Sequence, residues 1–483
     1  MFPVLRTFAA AILLWASLPL AMGAQPGAAR AKPPNVIIVV VDDQGYGDLS
    51  CHGNPVLKTP NLDRLHAESI RLTDFHVSPM CTPTRGQLMT GVDALRNGAM
   101  NVSSGRTLLR REFPTLPEIF SAQGYRTGIF GKWHLGDNHP YRPHERGFHE
   151  AICYPSSAIG SAPDFWENDY ADDVYLRNGR REQFHGYTTD VFFREAMAWM
   201  RAQADAGRPF LCYLPTAAAH GPLNVPASYV EPYKSQPAQV AKFFGMIANI
   251  DENMGQLEEF LRQSGLRDNT LLVFMTDNGT WTGETVFNAG MRGRKVALYE
   301  GGHRVPCFVR WPAGGLRAPG DLKPLTQVQD LLPTLIDLCA IAPPATASFD
   351  GLSLAPLLLG KTDELPDRTL IIQFSRMDAA APKPGDAAVL WQRWRLVNDK
   401  ELYDLRTDFA QETNVIAKHP EIAAQMRAHY MQWWRRVAPR VNELSAVIVG
   451  SDAENPMLLS PTEWADVFFD QGTQVRSGVR RNG

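Results

Sequence analysis

Four short groups of polar side chains follow apolar, strand-like runs of this sequence, and their chemistry is complementary. The groups are Asp42-Asp43, Lys132 with His134, His220, and Asp277-Asn278. In an open α/β sheet, ligands bind in the crevice at the carboxyl ends of the strands. The spacing therefore predicts one site built from four loops, and we expect Lys295 and a helix beginning near Cys81 to complete it.

The carboxylate and amide groups in this set are candidate metal ligands. They are Asp42, Asp43, Asp277 and Asn278. Their oxygen donors suit Ca²⁺ or Mg²⁺ better than zinc, because none of them is a thiolate or an imidazole. The same residue types form caps and turns after strands, so each pair alone is compatible with an ordinary turn.

Three basic side chains and two histidines complete the chemistry. Arg85, Lys132 and Lys295 supply positive charge that can hold a tetrahedral oxyanion and stabilise its transition state. His134 and His220 are candidates for general acid/base work, because imidazole titrates near neutrality. In an extended segment the side chains of Lys132 and His134 point to the same face. These residues predict a metal-assisted hydrolase of an oxyanion ester, and they leave sulfate and phosphate open.

Residues 81–91 are predicted to be a loop turning into a short helix. Thr82 is the expected N-cap, Pro83 suits the first helical position, and Gly91 offers a left-handed stop. Cys81 would precede a helix N-terminus, where backbone N–H groups favour an anion, and Arg85 could reach back toward it. Taken alone, the segment fits a reactive cysteine beside an anion site and a buried structural thiol equally well.

The rest of the chain must position these residues. Strands are predicted at residues 36–41, 125–130, 209–214, 270–275 and 305–310, and helices at 61–70, 189–204, 238–263 and 330–341. Their alternation indicates an α/β fold with a large, mostly parallel mixed sheet flanked by helices, over residues 35–360. Residues 141–186 are polar, aromatic and Pro-rich, and we expect a long insertion or loop there. Its aromatic side chains would either line the pocket mouth or pack on the domain.

The sequence changes character after residue 360. Short alternating strands are predicted at residues 368–374, 388–391, 394–398 and 401–405, followed by a helix at 421–434. This pattern predicts a smaller C-terminal antiparallel α+β domain over residues 361–440. Residues 450–483 form a polar tail with a few aromatic residues, and the pattern does not determine its structure.

Composition limits the class of protein. The net charge of −3 over 483 residues argues against a nucleic-acid partner, and six cysteines in so long a chain are not a disulfide framework. Arg6 precedes an apolar stretch at residues 8–24 that ends in small residues, which predicts a cleaved secretory signal over residues 1–24. An N-terminal anchor helix is the alternative. No other segment is apolar enough to span a membrane, so we expect an exported protein, periplasmic or secreted.

Six motifs, in order along the chain, resemble those of the type I, formylglycine-dependent sulfatases of the alkaline phosphatase superfamily. The signature Cys-x-Pro-x-Arg is similar to residues 81–85, and it is flanked by further matching segments. They are Asp42-Asp43-Gln44-Gly45-Tyr46-Gly47-Asp48, Thr59-Pro60-Asn61-Leu62-Asp63, Gly131-Lys132-Trp133-His134-Leu135-Gly136, Thr276-Asp277-Asn278-Gly279, and Lys295 ahead of Glu300-Gly301-Gly302. The resemblance covers nearly all of residues 35–440.

The resemblance implies an arylsulfatase-like enzyme with an alkaline phosphatase-like fold. A separate formylglycine-generating maturation enzyme would oxidise Cys81, and the hydrated aldehyde would attack sulfur. One Ca²⁺ would be bound by Asp42, Asp43, Asp277 and Asn278, with the modified Cys81 facing it. The substrate would be a sulfated small molecule or glycan.

The resemblance also implies a role for each remaining side chain. Arg85 would orient and stabilise the modified residue, while Lys132 and Lys295 would grip the sulfate oxygens. His220 would contact the substrate and protonate the leaving alcohol. His134 would then take a proton from the remaining hydroxyl, which expels sulfate and restores the aldehyde.

Two positions depart from the family pattern. Ala219 precedes His220, where many members have Pro, although Pro222 follows it. A polar sulfate-site residue of some members corresponds to Ser156 or Ser157. Two alternative functions also fit the residues: a phosphodiesterase or phosphonate monoester hydrolase of the same superfamily, and a non-catalytic protein that binds sulfated glycans.

Overall fold

The computed structural model describes residues 32–102, 106–161, 164–374, 382–448 and 450–454. The predicted signal, residues 1–24, lies outside these ranges, as does the predicted tail beyond residue 454. Within them, no helix combines the length and the apolar composition that crossing a membrane requires. All six cysteines are described, and none of the six forms a disulfide.

Strands and helices alternate through the first two thirds of the chain. The strands are β1 (Asn35–Val41), β2 (Ile70–Leu72), β3 (Phe75–His76), β4 (Arg126–Lys132), β5 (Glu150–Tyr154), β6 (Val174–Arg177), β7 (Arg180–Gln183), β8 (Phe210–Pro215), β9 (Thr270–Thr276), β10 (Cys307–Arg310), β11 (Gly320–Leu322), β12 (Thr326–Gln327), β13 (Thr369–Ile372), β14 (Ala388–Trp391), β15 (Trp394–Val397) and β16 (Glu401–Asp404). The helices are α1 (Pro60–Ala67), α2 (Cys81–Thr90), α3 (Ala94–Asn97), α4 (Leu116–Ser121), α5 (Thr188–Asp205), α6 (Ala227–Val230), α7 (Ala238–Gln263), α8 (Glu300–His303), α9 (Leu331–Leu338), α10 (Ala355–Leu358) and α11 (Pro420–Val437).

Ten strands of the described chain form one mixed sheet, in the order β11-β2-β10-β9-β1-β8-β4-β5-β6-β7. The run from β9 through β1, β8 and β4 to β5 is parallel, which confirms the predicted mostly parallel sheet. Strand β1 lies inside this run, and all seven of its residues are buried. Ile37 and Val39 pack in the core on one face, and Val36 and Ile38 in the core on the other. A strand covered on both faces needs a continuous apolar run.

Strand β10 runs antiparallel to β9, with Cys307 opposite Met275. Its first residue therefore lies at the edge of the sheet where the parallel strands end. The loop that precedes β10 therefore lies at that edge, whereas the loop that follows β10 lies at the opposite edge. This loop contains Lys295, so the reversal of a single strand places Lys295 beside the ends of β1 and β9.

The prediction of a long loop at residues 141–186 was wrong. This segment contains β5, β6 and β7, which extend the large sheet beyond β4. Strand β5 pairs parallel to β4, and β6 and β7 form an antiparallel hairpin at the edge. Strand β7 consists of Arg-Arg-Glu-Gln and is mostly exposed, so it lacks the apolar alternation that would mark a strand.

The predicted helix at residues 61–70 also ends early. Helix α1 stops at Ala67, and Ile70 begins the short strand β2 between β10 and β11. The apolar residues Leu62 and Leu65 have helical spacing and are buried on α1. Ile70 continued that apolar pattern in the sequence, although its side chain packs in the sheet instead.

Strands β13 to β16 form a separate antiparallel four-stranded sheet followed by α11, which confirms the predicted C-terminal α+β element. The cores on its two faces also include residues from earlier parts of the chain. Leu95 and Met100 pack with the core of α11, while Met80 and Leu298 pack on the opposite face of the sheet. The described residues from Pro34 onward belong to one compact unit, and the domain boundary at residue 360 stays a prediction.

Candidate active site

The loops after β1 and β9 lie side by side because those strands are parallel and Val41 is level with Thr276. The register brings Asp42-Asp43 next to Asp277-Asn278. The backbone N–H of Asp43 donates to Oδ1 of Asp277 at 3.3 Å, and Nδ2 of Asn278 donates to Oδ1 of Asp43 at 2.9 Å. All four side chains are buried. The predicted convergence of these candidate ligands is therefore what the fold produces.

Helix α2 begins at Cys81, and its thiol is buried at the bottom of the same crevice. One candidate ligand atom from each of Asp42, Cys81 and Asp277 lies within 4.8 Å of the other two. Burial raises the pKa of the Cys81 thiol. The unmodified side chain is thus a neutral thiol rather than an activated thiolate.

The predicted start of this helix was wrong: Cys81 is the first helical residue, so Thr82 is not the N-cap and Pro83 is the third helical residue rather than the first. Met80 is the N-cap and has an extended backbone, and its side chain forms no capping hydrogen bond. Thr82 lies inside the helix, and its hydroxyl approaches Nδ1 of His134 at 3.0 Å. Gly91 does end the helix in a left-handed conformation, with φ of 67°, as predicted.

Arg85 is fully buried on α2 and reaches Asp277 rather than back toward the thiol. Its Nε and Nη2 donate to Oδ2 of Asp277 at 3.1 and 2.7 Å, and its Nη1 donates to the carbonyl oxygen of Lys132 at 3.3 Å. A planar guanidinium can hold a carboxylate and a backbone carbonyl at once through separate nitrogens in a rigid fork, whereas a lysine offers a single nitrogen. Arg85 therefore ties α2 to the ends of both β9 and β4.

Two lysines contact the remaining carboxylates. Lys132 ends β4 and its Nζ donates to Oδ2 of Asp42, while Nζ of Lys295 lies 2.5 Å from Oδ1 of Asp43. Burial raises the pKa of Asp42, but the neighbouring charges of Lys132, His220 and Arg85 hold it well below its usual range. Burial lowers the pKa of Lys295, but Asp43 raises it above its usual value. The surrounding charges thus favour the ionised form of Asp42 and the protonated form of Lys295, whereas burial raises the pKa of Asp277 to about 6.

Two buried oxygens of the site have no hydrogen-bond partner among the described residues: Oδ1 of Asp42 and Oδ1 of Asn278. An orphaned buried oxygen acceptor is unfavourable unless something binds it. Both atoms are hard donors, the type that Ca²⁺ and Mg²⁺ prefer. The donor set and its unmet acceptors fit a divalent hard cation.

The two predicted histidines approach the crevice from different loops. Nε2 of His220 lies 3.8 Å from Oδ2 of Asp43, and its Nδ1 donates to the carbonyl oxygen of Gly221 at 2.7 Å. The His220 side chain keeps 24% exposure, so it lies at the mouth of the site. His134 is deeper and has a positive φ of 56°. Burial lowers the pKa of both histidines.

Ser156 and Ser157 follow β5, which runs parallel to β4, so they lie at the same edge of the sheet. Ser156 has φ of 74°, and its backbone N–H donates to Oδ2 of Asp137 at 2.7 Å. Its hydroxyl accepts from the Ser161 hydroxyl at 3.2 Å. A contact of either serine with sulfate stays a prediction.

Aromatic side chains from residues 141–186 divide into two groups. Tyr154, Tyr170 and Tyr175 are buried, which agrees with packing on the domain. The Tyr170 hydroxyl donates to the carbonyl oxygen of His220 at 2.8 Å, and it thereby supports the loop that presents this histidine. Trp166 is 91% exposed.

Sequence reasoning missed two supports of the site. Asp48 accepts from the backbone N–H of Gly45 at 2.8 Å and closes the turn after Asp43, although the sequence pattern indicated no role for it. Gly279 allows the loops to touch, because a Cβ there would lie 1.9 Å from the carbonyl oxygen of Gly301. The Asp-Asn-Gly and Glu-Gly-Gly sequences were the available signal for this close approach.

The crevice combines oxygen ligands suited to a cation with three basic side chains suited to an oxyanion. This combination defines a hydrolase of sulfate or phosphate esters. A family model described as Sulfatase matches residues 34–341, and a second, described as N-sulphoglucosamine sulphohydrolase, C-terminal, matches residues 293–435.

Human arylsulfatase A is 35% identical to this chain, in an alignment that spans 75% of this chain and 74% of that protein. Human N-acetylgalactosamine-6-sulfatase is 30% identical, over 80% of this chain and 76% of that protein. The fold is similar to that in the crystal structure of Ps i-CgsB in complex with k-i-k-neocarrahexaose, with a TM-score of 0.76. The sequences are 25% identical, and the match covers 84% of this chain and 98% of that chain. The chain belongs to the sulfatase family and is a sulfuric ester hydrolase.

Proposed function

We propose that this enzyme hydrolyses sulfate esters with a formylglycine made from Cys81, at a site that binds one Ca²⁺. The observation that carries the proposal is the position of Cys81 at the start of a buried helix, within 4.8 Å of candidate ligand atoms of Asp42 and Asp277. The partner it requires is a formylglycine-generating maturation enzyme. Residues 1–24 would direct export to the periplasm or medium.

The proposed ligands of the cation are Asp42, Asp43, Asp277 and Asn278, with the modified Cys81 facing it. Orphaned oxygens of Asp42 and Asn278 support this set. A bound divalent cation supplies positive charge that polarises a sulfate oxygen.

The basic side chains of the chain bind and orient the sulfate group in this proposal. Lys132 and Lys295 donate to the sulfate oxygens in this proposal. Both ammonium groups contact carboxylates, Asp42 and Asp43, that lie near Cys81. Arg85 fixes the Asp277 carboxylate, which lies beside position 81, and it would orient and stabilise the modified residue there.

The two histidines move protons. His220 lies at the partly exposed mouth, where the leaving alcohol departs, and its Nδ1–H is fixed on the carbonyl oxygen of Gly221. Its Nε2 therefore faces the leaving oxygen, and the imidazolium form of His220 delivers the Nε2 proton to that oxygen and becomes neutral. His134 lies against Thr82 inside the crevice, and it takes the proton from the hydroxyl that remains on residue 81.

The proposed substrate is a sulfated sugar. Two observations support it: the names of the relatives above, and an exposed aromatic and cationic pair beside Lys295. Trp281 is 48% exposed, and the Arg294 guanidinium lies 4.7 Å from its ring centre. Trp281 follows Thr280, whose carbonyl oxygen accepts from the backbone N–H of Lys295 at 3.0 Å. An indole face can stack on a sugar ring, and a guanidinium can hold a further anionic group.

The decisive experiment compares matched aryl sulfate and aryl phosphate esters on protein expressed with a maturation system. We expect the sulfate ester to be preferred, an aldehyde at position 81 by peptide mass spectrometry, and no turnover by Cys81→Ala. Cys339→Ala, at a buried cysteine of the α9 end, is the matched control and should retain activity. Active protein with an unmodified Cys81, or a preference for phosphate, would contradict the proposal.

A second experiment tests the substrate class with sulfated mono- and disaccharides against a simple aryl sulfate. Trp281→Ala should lower kcat/KM for the disaccharide by more than it lowers kcat/KM for the aryl sulfate, by about tenfold for one lost stacking contact. Equal losses on both substrates would leave no role for Trp281 in sugar binding.

A further inference from the structure

A second cluster of metal-binding side chains lies outside the crevice, where the 3₁₀ turn Ser50–His52 faces helix α1. One ligand atom from each of Cys51, His52 and His66 lies within 4.8 Å of the other two, and all three residues are half-buried. They line one side of an open cavity of about 290 Å³, together with Tyr46, Phe308 and Asp321. An ion can therefore enter from solvent.

The orientation of His52 is fixed in the way that a metal-bound imidazole requires. Its Nδ1 lies 2.8 Å from the backbone carbonyl oxygen of Tyr46. A carbonyl can only accept a hydrogen bond, so Nδ1 carries the proton and Nε2 keeps its lone pair. Metal-bound histidines commonly donate their second ring N–H to such a carbonyl. The Tyr46 ring also stacks on the imidazole, with 4.0 Å between ring centres.

His66 is held by packing. Its ring meets Phe308 edge-on at 5.3 Å between centres, and Phe308 meets the His52 ring in the same way at 5.8 Å. One phenyl ring thus aligns both imidazoles. Burial lowers the pKa of His52 to about 4 and also lowers the pKa of His66, so both rings are neutral at pH 7 and able to bind a metal.

The Cys51 thiol is protonated in the absence of a metal, because burial and the nearby Asp63 carboxylate raise its pKa. Binding of a divalent ion replaces that proton: the S–H bond breaks, a metal–thiolate bond forms, and H⁺ is released to solvent. No change of oxidation state is needed. Asp321, in the wall of the cavity, is paired with Arg71 at 2.5 Å, so a water is the natural fourth ligand.

We propose that Cys51, His52 and His66 form a binding site for a thiophilic divalent transition-metal ion, with Zn²⁺ as the expected occupant. One thiolate and two imidazoles are the donors that such ions select, whereas Ca²⁺ selects the oxygen donors of the crevice. The site therefore discriminates between the two ions by donor type. A Zn²⁺ here ties the turn after Asp48 to helix α1 and stabilises the fold without entering the reaction.

Another described cluster of this kind offers no such vacancy. His76, Glu300 and His303 also have three converging ligand atoms. However, Glu300 is bound by Arg395 and Arg304, and the two imidazoles contact each other at 2.9 Å. A cation would have to displace two guanidinium groups. The cluster at Cys51 requires only the loss of one proton.

The experiment uses Co²⁺ as a spectroscopic substitute for Zn²⁺, in Ca²⁺-saturated protein that carries Cys81→Ala so that the crevice holds no thiol. We expect a thiolate-to-cobalt charge-transfer band that saturates at one equivalent and is displaced by Zn²⁺. Cys51→Ser should abolish the band, and His66→Gln should weaken Co²⁺ binding by at least about tenfold. His185→Gln, an exposed histidine, is the control and should bind as the parent does.

A measurement on the unmutated chain guards against misfolding of these variants. Zn²⁺ at micromolar concentration should slow alkylation of Cys51, followed by peptide mass spectrometry, by at least tenfold. The proposal is overturned by the lack of a charge-transfer band at saturating Co²⁺, by undiminished binding in Cys51→Ser, or by alkylation of Cys51 that Zn²⁺ does not slow. Hydrolysis of aryl sulfate by the Cys51→Ser enzyme should stay within about twofold of the parent, since Cys51 takes no part in the reaction.

Discussion

Arg85 connects three parts of the active site through one planar group. It binds Oδ2 of Asp277 with two N–H donors and the carbonyl oxygen of Lys132 with a third. Arg85→Lys keeps the charge but has no fork to span these acceptors. We expect kcat/KM for an aryl sulfate to fall by at least about 100-fold, the size of effect seen when one preorganised donor is lost.

Rates for this variant should be normalised to the aldehyde content at position 81, because Arg85 is also part of the maturation signature. Arg427→Lys is the matched control, since the Arg427 guanidinium is 42% exposed and pairs with Asp399 at the surface. The prediction is contradicted if normalised Arg85→Lys enzyme turns over within threefold of the parent.

Asp48 gives the stability of the fold a defined pH dependence. Burial raises its pKa from 3.8 to about 7, although hydrogen bonds from Thr280 and Gly45 act in the opposite direction. The folded state therefore binds a proton that the unfolded state releases, between about pH 4 and 7. The stabilisation contributed by this group is therefore greatest below about pH 4, and it is lost as pH rises from about 4 to 7.

Asp48→Asn removes this ionisation and keeps an oxygen for the N–H of Gly45. Relative to the parent, the variant should become more stable by about 3 kcal/mol on going from pH 5 to pH 8. Urea unfolding of both proteins at the two pH values measures this difference, because all other groups titrate alike in both. A difference that does not change with pH would show that Asp48 is ionised in the folded state.

The convergence of Asp42-Asp43 with Asp277-Asn278 was predictable, because these residues follow β1 and β9, whose buried apolar sequences are easy to recognise. The position of Thr82 was not predictable. Threonine commonly caps helices, but Thr82 lies inside α2 and its hydroxyl contacts His134. The carboxylate partners of Lys132 and Lys295 could not be predicted from the sequence either. Which carboxylate each lysine contacts depends on the register between strands far apart in sequence.

Helix α8 links the Lys295 loop to the C-terminal sheet. Its first residue, Glu300, is fully buried and accepts from Arg395 at 2.7 Å and from Arg304 at 3.1 Å. Burial raises the pKa of Glu300, but Arg395, His76 and Arg304 lower it to about 2. The next residues of α8 pack against the β9 loop, where the N–H of Gly279 donates to the carbonyl oxygen of Gly302 at 2.9 Å.

Glu300→Gln should lower the free energy of unfolding by about 3 kcal/mol, because a buried guanidinium loses its charged partner. It should also lower kcat, since the loop that carries Lys295 loses its anchor. Glu284→Gln is the control: Glu284 pairs with the half-exposed Arg294, so the loss should be under about 1 kcal/mol. Thermal unfolding measures both losses. Equal destabilisation of the two variants would show that Glu300 contributes no more to stability than a partly exposed ion pair does.

Elements with strong apolar patterns were predicted closely, and α7 over residues 238–263 was predicted to the residue. Strands β5 to β7 were missed because each is only four or five residues long, and β6 and β7 contain no continuous buried apolar run. The direction of β10 was not predictable either. A four-residue strand contains no information about which way it will pair, and only the packing of its neighbours decides.

The hydrophobic cores of the small C-terminal sheet include residues from earlier parts of the chain. Leu95 and Met100 are buried against the α11 side of the small sheet, and Nε1 of Trp433 donates to Asp93 at 2.6 Å. A chain ending at residue 360 would expose these side chains to water and leave Asp93 without that donor. We expect it to aggregate or to lack a cooperative thermal transition.

A chain ending at residue 454 is the matched control. It keeps Glu454, which accepts from Nδ2 of Asn138 at 3.1 Å and from the N–H of His139 at 2.8 Å. We expect this chain to unfold cooperatively, near the temperature of the full-length protein. A monodisperse chain ending at residue 360 with a sharp transition would instead establish residues 35–360 as an independent domain.

Strand β7, with its sequence Arg-Arg-Glu-Gln, ends the large sheet at a polar margin. An open sheet edge offers unpaired backbone groups to any other extended chain, which is the route to fibrils and to accidental dimers. Charged side chains on that margin repel an incoming strand of like composition and keep the backbone hydrated. The polar sequence of β7 made the strand hard to predict. The same polar sequence protects the enzyme from polymerising through this edge at high concentration.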